Sequence, residues 1–212
     1  NFCAYVDDHS QHGEHIITAN EGNAIALAVG YHMSSGKIGA VYLQNSGLGN
    51  AINPLTSLAD PEVYKIPLLM IIGWRGEPGS FDEPQHIKQG AIQEKLLEAL
   101  EIPYEIIDNQ LTNYVPLTDL ILKSKKESRP VAILVKKDTF SKFQSNNVSP
   151  KESDLMIRER VLMEILNSEI KNEIFITTTG KTSREFYELR NKNPQVLKKD
   201  FLTVGSMGHS SQ

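Results

Sequence analysis

The chain has 212 residues, with 22 Lys and Arg against 26 Asp and Glu, for a net charge of −4. That balance argues against a dedicated nucleic-acid binder, and no run of about eighteen apolar residues marks a membrane span. A single cysteine, Cys3, excludes an internal disulfide and fits a reducing cytoplasm.

Residues 1–8 have neither the basic nor the apolar region of a signal peptide. His9, His12 and His15 are spaced at three-residue steps in a polar stretch around Gly13, and read as solvent-exposed residues rather than metal ligands. Residues 16–18 read as a short strand. A helix over 21–33 follows, with Gly36 placed to cap its end. Residues 38–44 form a strand, and 48–58 a helix interrupted at Asn53-Pro54. The run 68–73, Leu-Leu-Met-Ile-Ile-Gly, predicts a strand buried on both faces. Then come a helix over 85–100, a strand over 104–107, a helix over 113–127 and a strand over 131–135. Alternating strands and helices of this kind define an α/β fold with a doubly wound parallel sheet.

Residues 141–153 are polar and turn-rich, with little to bury, and read as a linker between two domains, 1–140 and 154–212. Beyond it, apolar spacing predicts a helix over 154–167. A strand over 174–179, a helix over 182–190 and a strand over 201–204 complete the pattern.

Three stretches carry candidate chemistry. Glu21 opens an apolar helix rich in small residues, where the helix N-terminus holds a negative charge. It is expected to be a buried acid aimed beyond the strand end. Asn45-Ser46-Gly47 and Gly49 follow a strand at its carboxyl end, where open α/β sheets bind ligands. The stretch lacks both the lysine of a P-loop and the third glycine of a dinucleotide fingerprint. The loop over 73–86 is long and rich in Gly and Pro, and carries Trp74, Arg75, Asp82, Gln85 and His86. Arg75 suits bidentate pairing with a phosphonate, sulfonate or carboxylate, or else a surface salt bridge. His86 suits acid–base work near neutral pH, or else a place in the first turn of a helix.

Together these stretches resemble the thiamine-diphosphate-dependent 2-oxo acid decarboxylases. The resemblance runs through 19–24 (Ala-Asn-Glu-Gly-Asn-Ala), 44–50 (Gln-Asn-Ser-Gly-Leu-Gly-Asn), 58–64, 73–79 (Gly-Trp-Arg-Gly-Glu-Pro-Gly) and 82–86 (Asp-Glu-Pro-Gln-His). It resumes at 179–185 and at 205–209 (Gly-Ser-Met-Gly-His). It implies a pyrimidine-binding domain over 1–140 and the incomplete start of a diphosphate-binding domain over 154–212. It implies that Glu21 hydrogen-bonds the cofactor's aminopyrimidine, with Asn45, Ser46 and Gly47 beside that ring. Gly180, Thr182 and Ser183 are implied at the diphosphate. Gly205 would accept from the 4′-amino group, and Met207 would hold the cofactor bent. Arg75 and His86 would serve substrate charge and proton transfer. The implied reaction is decarboxylation of 3-phosphonopyruvate to phosphonoacetaldehyde and CO2, with a sulfopyruvate decarboxylase, or its pyrimidine-domain subunit, as the alternative. A non-catalytic α/β ligand-binding module is the remaining alternative. The resemblance further implies Mg2+, whose Gly-Asp-Gly motif is expected beyond Gln212, and a homodimer or higher even homo-oligomer. The partner is a small 2-oxo acid with a second anionic group, with no nucleic acid and no membrane.

Overall fold

The computed structural model describes residues 2–145, 156–168, 173–178, 180–191 and 199–204. They fall in two compact units, Asn1–Asn146 and Asn147–Gln212. The first holds α1 (Phe2–His9), α2 (Glu21–Ser35), β1 (Gly39–Gln44), α3 (Leu48–Pro54), β2 (Leu68–Gly73), α4 (Pro84–Ala99), β3 (Tyr104–Ile107), α5 (Val115–Glu127) and β4 (Pro130–Val135). Its four strands are all parallel, in the order β1-β2-β4-β3.

Helix α2 starts where Asn20 accepts a hydrogen bond from the Asn23 N–H at 2.9 Å. It stops at Gly36, whose φ of 70° is the left-handed cap that glycine adopts without strain. Pro54 ends α3, and the chain continues as a wider π-type turn over Leu55–Ala59. Ser128, at φ 50°, caps α5 and turns the chain into β4.

The core is built on both faces of the sheet. Ile25, Val29, Leu48 and Leu97 from the helices pack with Leu68, Met70, Ile72, Ala132 and Leu134 from the strands. Leu120 of α5 packs on the opposite face with Ile107, Val131, Ile133 and Val135. Each fully buried Leu or Ile in such a core contributes about 1.5–3 kcal/mol.

Two expectations change, and one element is added. Strand β2 is not buried on both faces: Leu68, Met70 and Ile72 are, whereas Leu69, Ile71 and Gly73 are half-buried. The strand buried throughout is β4, because α5 packs mainly over β3 and β4. Residues 16–18 form no strand, and Ile16 and Ile17 lie in solvent. Among the described residues no neighbouring strand takes their backbone groups, and a strand without a ladder has nothing to hold it. Residues 2–9 form α1, an element the sequence reading did not mark; its Phe2 stacks on Phe140 and its Tyr5 on His9.

In the second unit, α6 (Arg158–Leu166) and α7 (Lys181–Arg190) accompany a parallel pair, β5 (Ile176–Thr178) and β6 (Phe201–Val204). Arg190 ties this unit together through Asp200 and Glu173, with its guanidinium over the Phe175 ring. No helix among the described residues is long and apolar enough to cross a membrane.

Candidate functional site

Parallel strands deliver their loops to one edge of the sheet, so the segments after β1 and β2 meet there. Glu21, the first residue of α2, is half-buried rather than buried. Its Oε2 accepts a hydrogen bond from Asn50 Nδ2 at 2.9 Å. The carboxylate occupies the space that a side chain at position 47 would need. A Cβ on Gly47 would lie 2.1 Å from Glu21 Oε1 and 2.2 Å from its Cδ. Gly22 serves the same contact from the other side, since a Cβ there would stand 2.8 Å from the Asn50 carbonyl oxygen. Two glycines thus let the head of α2 close onto the start of α3 and set one carboxylate between them.

Asn45 is buried, and its side chain is committed to the next loop. Its Nδ2 donates to the Arg75 carbonyl at 2.8 Å, and its Oδ1 accepts from the Arg75 N–H at 2.9 Å. This pair of bonds clamps the segment after β1 to the segment after β2. Ser46 donates to Gln44 Oε1 at 3.1 Å, and its carbonyl accepts from Gln89 of α4.

The loop after β2 folds back on α4. Trp74 Nε1 donates to the Gly90 carbonyl at 3.1 Å. Gly76, at φ 67°, passes so close to α4 that a Cβ would lie 2.0 Å from the His86 carbonyl oxygen. At the centre of the loop sits Asp82. It accepts from Arg75 Nε at 2.8 Å and Nη2 at 2.5 Å, and from the N–H groups of Gly76 and Glu83. Its Oδ1 also meets His86 Nδ1 at 2.9 Å. The Arg75 guanidinium, followed by His86 and the two N–H groups, holds the Asp82 carboxyl well below the usual carboxylate range against its burial. Asp82 in turn pushes the Arg75 guanidinium up. Of the two readings of Arg75, the salt bridge is the one formed: its bidentate edge is taken by Asp82. His86 sits in the first turn of α4 and is buried.

A cleft of about 350 Å3 opens at the same sheet edge. Tyr42, Gln44 and Gly73 line it from the strand ends, with Arg75 and Asp82 from the loop and Lys136 and Lys137 beyond β4. Lys136 pairs with Glu77 at 2.8 Å.

The structure therefore gathers Glu21, Gly47 and Asn50 into one cluster and Arg75, Asp82 and His86 into a second, with Asn45 bridging them. In the other unit, Gly180 stands at the head of α7 with φ 130°, Thr182 is half-buried, and Ser183 is buried with its hydroxyl accepting from Thr177 at 3.2 Å. Gly205 and Met207 lie outside the described residues. Among the described residues no cluster of ligating side chains could hold a metal ion. His9 and His12 are exposed, and His15 pairs with Asp7. Sequence reasoning gave no role to Asn50 or Asp82. The signal for Asp82 was present, since it stands one helical turn before His86.

A parallel α/β sheet with polar side chains and glycines converging at its carboxyl edge belongs to the class that binds cofactors and small ligands there. Comparison with known proteins narrows that class. Residues 1–99 match the family described as thiamine pyrophosphate enzyme, N-terminal TPP binding domain. Phosphonopyruvate decarboxylase of Streptomyces viridochromogenes is 30% identical over 213 residues, covering 93% of this chain and 51% of that protein. The protein of the same name in Streptomyces hygroscopicus is 29% identical over the same shares. Sulfopyruvate decarboxylase subunit alpha of Methanothermobacter thermautotrophicus is 36% identical over 121 residues, 57% of this chain and 71% of that one. The chain belongs to the thiamine-pyrophosphate-dependent decarboxylase family. It spans about half the length of the phosphonopyruvate decarboxylases it matches.

Proposed function

We propose that the protein containing this chain decarboxylates 3-phosphonopyruvate to phosphonoacetaldehyde and CO2, using thiamine diphosphate and Mg2+. The observation that carries this reading is the Glu21 carboxylate lodged in the space left by Gly47 and held by Asn50. A bare carboxylate at a helix head is common. One fitted against a glycine at the ligand edge of a parallel sheet suits a heterocycle that needs a hydrogen-bonding partner. Glu21, with Ser46 and Gly47 beside it and Asn45 fixing their segment to the Arg75 backbone, would hold the pyrimidine end of the cofactor. In the second unit, Gly180, Thr182, Ser183, Gly205 and Met207 are the residues proposed for the diphosphate side of a cofactor, together with Mg2+. When bound, the cofactor supplies the electron sink that decarboxylation requires and that side chains cannot provide. The chain's own groups bind, orient and move protons. Glu21 fixes the heterocycle's hydrogen bonding. His86 is the proton-transfer group.

The substrate's second anionic group meets a positive wall of Arg75, Lys136 and Lys137 in the cleft. Asp82 and Glu77 neutralise the first two, so Lys137 carries most of the attraction. A homodimer or higher even homo-oligomer in the cytoplasm, with domains over 1–140 and 154–212 joined by 141–153, completes the reading. Sulfopyruvate is the second substrate reading. It is favoured by the higher identity, 36% over 121 residues, to a sulfopyruvate decarboxylase subunit.

The deciding experiment offers phosphonopyruvate, sulfopyruvate and pyruvate side by side to the full-length protein with thiamine diphosphate and Mg2+. Aldehyde from phosphonopyruvate alone is expected. Preference for sulfopyruvate would change the anion assignment and keep the chemistry. Turnover of none of them would overturn the reading.

A further inference from the structure

We propose that Asp82 is a positioning residue, which fixes the His86 ring with its proton on Nδ1 and leaves Nε2 as the nitrogen that exchanges protons. The inference rests on the reading of His86 as the proton-transfer group. It starts from the donor inventory around one carboxylate. Arg75 Nε and Nη2, the Gly76 N–H and the Glu83 N–H all approach Asp82, and none of these groups can accept a hydrogen bond. Asp82 therefore faces them as an acceptor on both oxygens, which is the behaviour of an ionised carboxylate. Its remaining contact, Oδ1 to His86 Nδ1 at 2.9 Å, must then have nitrogen as the donor. The tautomer follows: a neutral His86 carries its proton on Nδ1.

The surroundings hold that arrangement. The His86 side chain is only 10% exposed, and that of Asp82 only 12%. The His86 N–H donates to the Glu83 carbonyl at 2.9 Å, so the ring is carried on a closed turn. The loop can lie against α4 only because position 76 has no side chain. Of the two parts its sequence context allowed, Arg75 takes the salt bridge. It is the counter-charge that keeps Asp82 ionised next to His86, rather than a free clamp for substrate. An Asp–His pair orients a proton-transfer imidazole in the same way in other catalytic settings.

The test reads the tautomer directly. The full-length protein is labelled with 15N-histidine, and the His86 signals are assigned by their loss in H86Q. The expected wild-type spectrum shows His86 as the Nδ1–H tautomer. In D82N the amide must turn an NH2 toward donors on one side or the other, and the Nδ1–H form should give way to Nε2–H or a mixture. The kcat of D82N should fall about 10²-fold or more, the scale of a positioned proton-transfer group. A residue that only supports the loop would lower stability and leave the tautomer as it was. Nε2–H in wild type overturns the inference without recourse to any variant, even if D82N fails to fold. D82N with wild-type tautomer and kcat overturns it as well. Failure of the decarboxylase reading looks different: no CO2 from either acid, with the His86 tautomer still Nδ1–H.

Discussion

Replacing Gly47 with alanine separates the site from the fold. The backbone at position 47, φ −93° and ψ −6°, suits any L-residue, so alanine brings no conformational strain there. The three atoms nearest the added methyl all belong to the Glu21 side chain, at 2.1 Å for Oε1, 2.2 Å for Cδ and 2.5 Å for Cγ. Those atoms belong to a flexible, half-buried side chain that can swing into solvent. The fold therefore loses little, about 1–2 kcal/mol, toward the low end of overpacking costs. The site loses the carboxylate's position and its bond from Asn50. A displacement of about 1 Å at a positioned group costs about 10²-fold in rate. G47A should melt within a few degrees of wild type, bind thiamine diphosphate more weakly and turn over at least about 10²-fold more slowly. The checks are a thermal melt, calorimetric titration with the cofactor and Mg2+, and CO2 release from phosphonopyruvate. G47A on an E21Q background should cost almost nothing more, because both changes disable the same group. Wild-type turnover and cofactor affinity in G47A would refute the reasoning, since the carboxylate would then be dispensable where it stands.

E21Q alone should lower kcat by at least about 10²-fold in the full-length protein; unchanged turnover would remove Glu21 from the mechanism. D82N should destabilise the fold by about 2–3 kcal/mol near neutral pH, below the usual cost of breaking a buried pair because the Arg75 side chain is 39% exposed. The sign with pH follows from Asp82 titrating well below its ordinary 3.8 when folded. Its stabilisation is present in full above about pH 4 and is lost as the pH falls toward the folded value, so the gap between wild type and D82N in urea unfolding should narrow on acidification. A gap independent of pH between 7 and about 3 would contradict the ion pair. Gln93 of α4 is fully buried, and among the described residues neither its Nε2 nor its Oε1 has a partner. Q93L should therefore raise stability by about 1–2 kcal/mol; a lower melting temperature would mean that the amide has a partner after all.

How far the sequence could be read depends on how local each cause is. The parallel α/β order was legible because apolar runs such as 68–73 and 131–135 are too short for helices and alternate with helical patterns. Gly36 was legible as a cap because its cause lies within one turn of the helix. Residues 16–18 misled because a short β-branched run says nothing about whether a partner strand lies beside it. The two-faced burial expected of β2 went instead to β4, since that depends on which helix covers which part of the sheet. The site divides in the same way. Glu21 and the 44–50 stretch could be picked out as a helix-head acid and a glycine turn. Their meeting could not, because Asn50 reaches Glu21 across 29 residues and Asn45 clamps Arg75 across 30.

Arg75 shows what this costs. Its type and loop context allow a grip on a free anion and a pairing with a local carboxylate equally well, and only three-dimensional placement chooses between them. Asp82 was close enough in sequence to be suspected. It sits seven residues after Arg75 and four before His86, inside one loop that closes on itself at Gly76. A carboxylate placed between an arginine and a helix-head histidine cannot serve one without affecting the other. On the proposed reading it holds the arginine's charge away from substrate and the histidine's proton on a chosen nitrogen. Anion recognition then falls to the cations of the cleft that are not so neutralised. Swapping Lys137 for Met should therefore raise KM for a dianionic 2-oxo acid more than an equivalent change at Lys136, whose charge Glu77 already balances at 2.8 Å. Equal effects at the two positions would return the anion to Arg75.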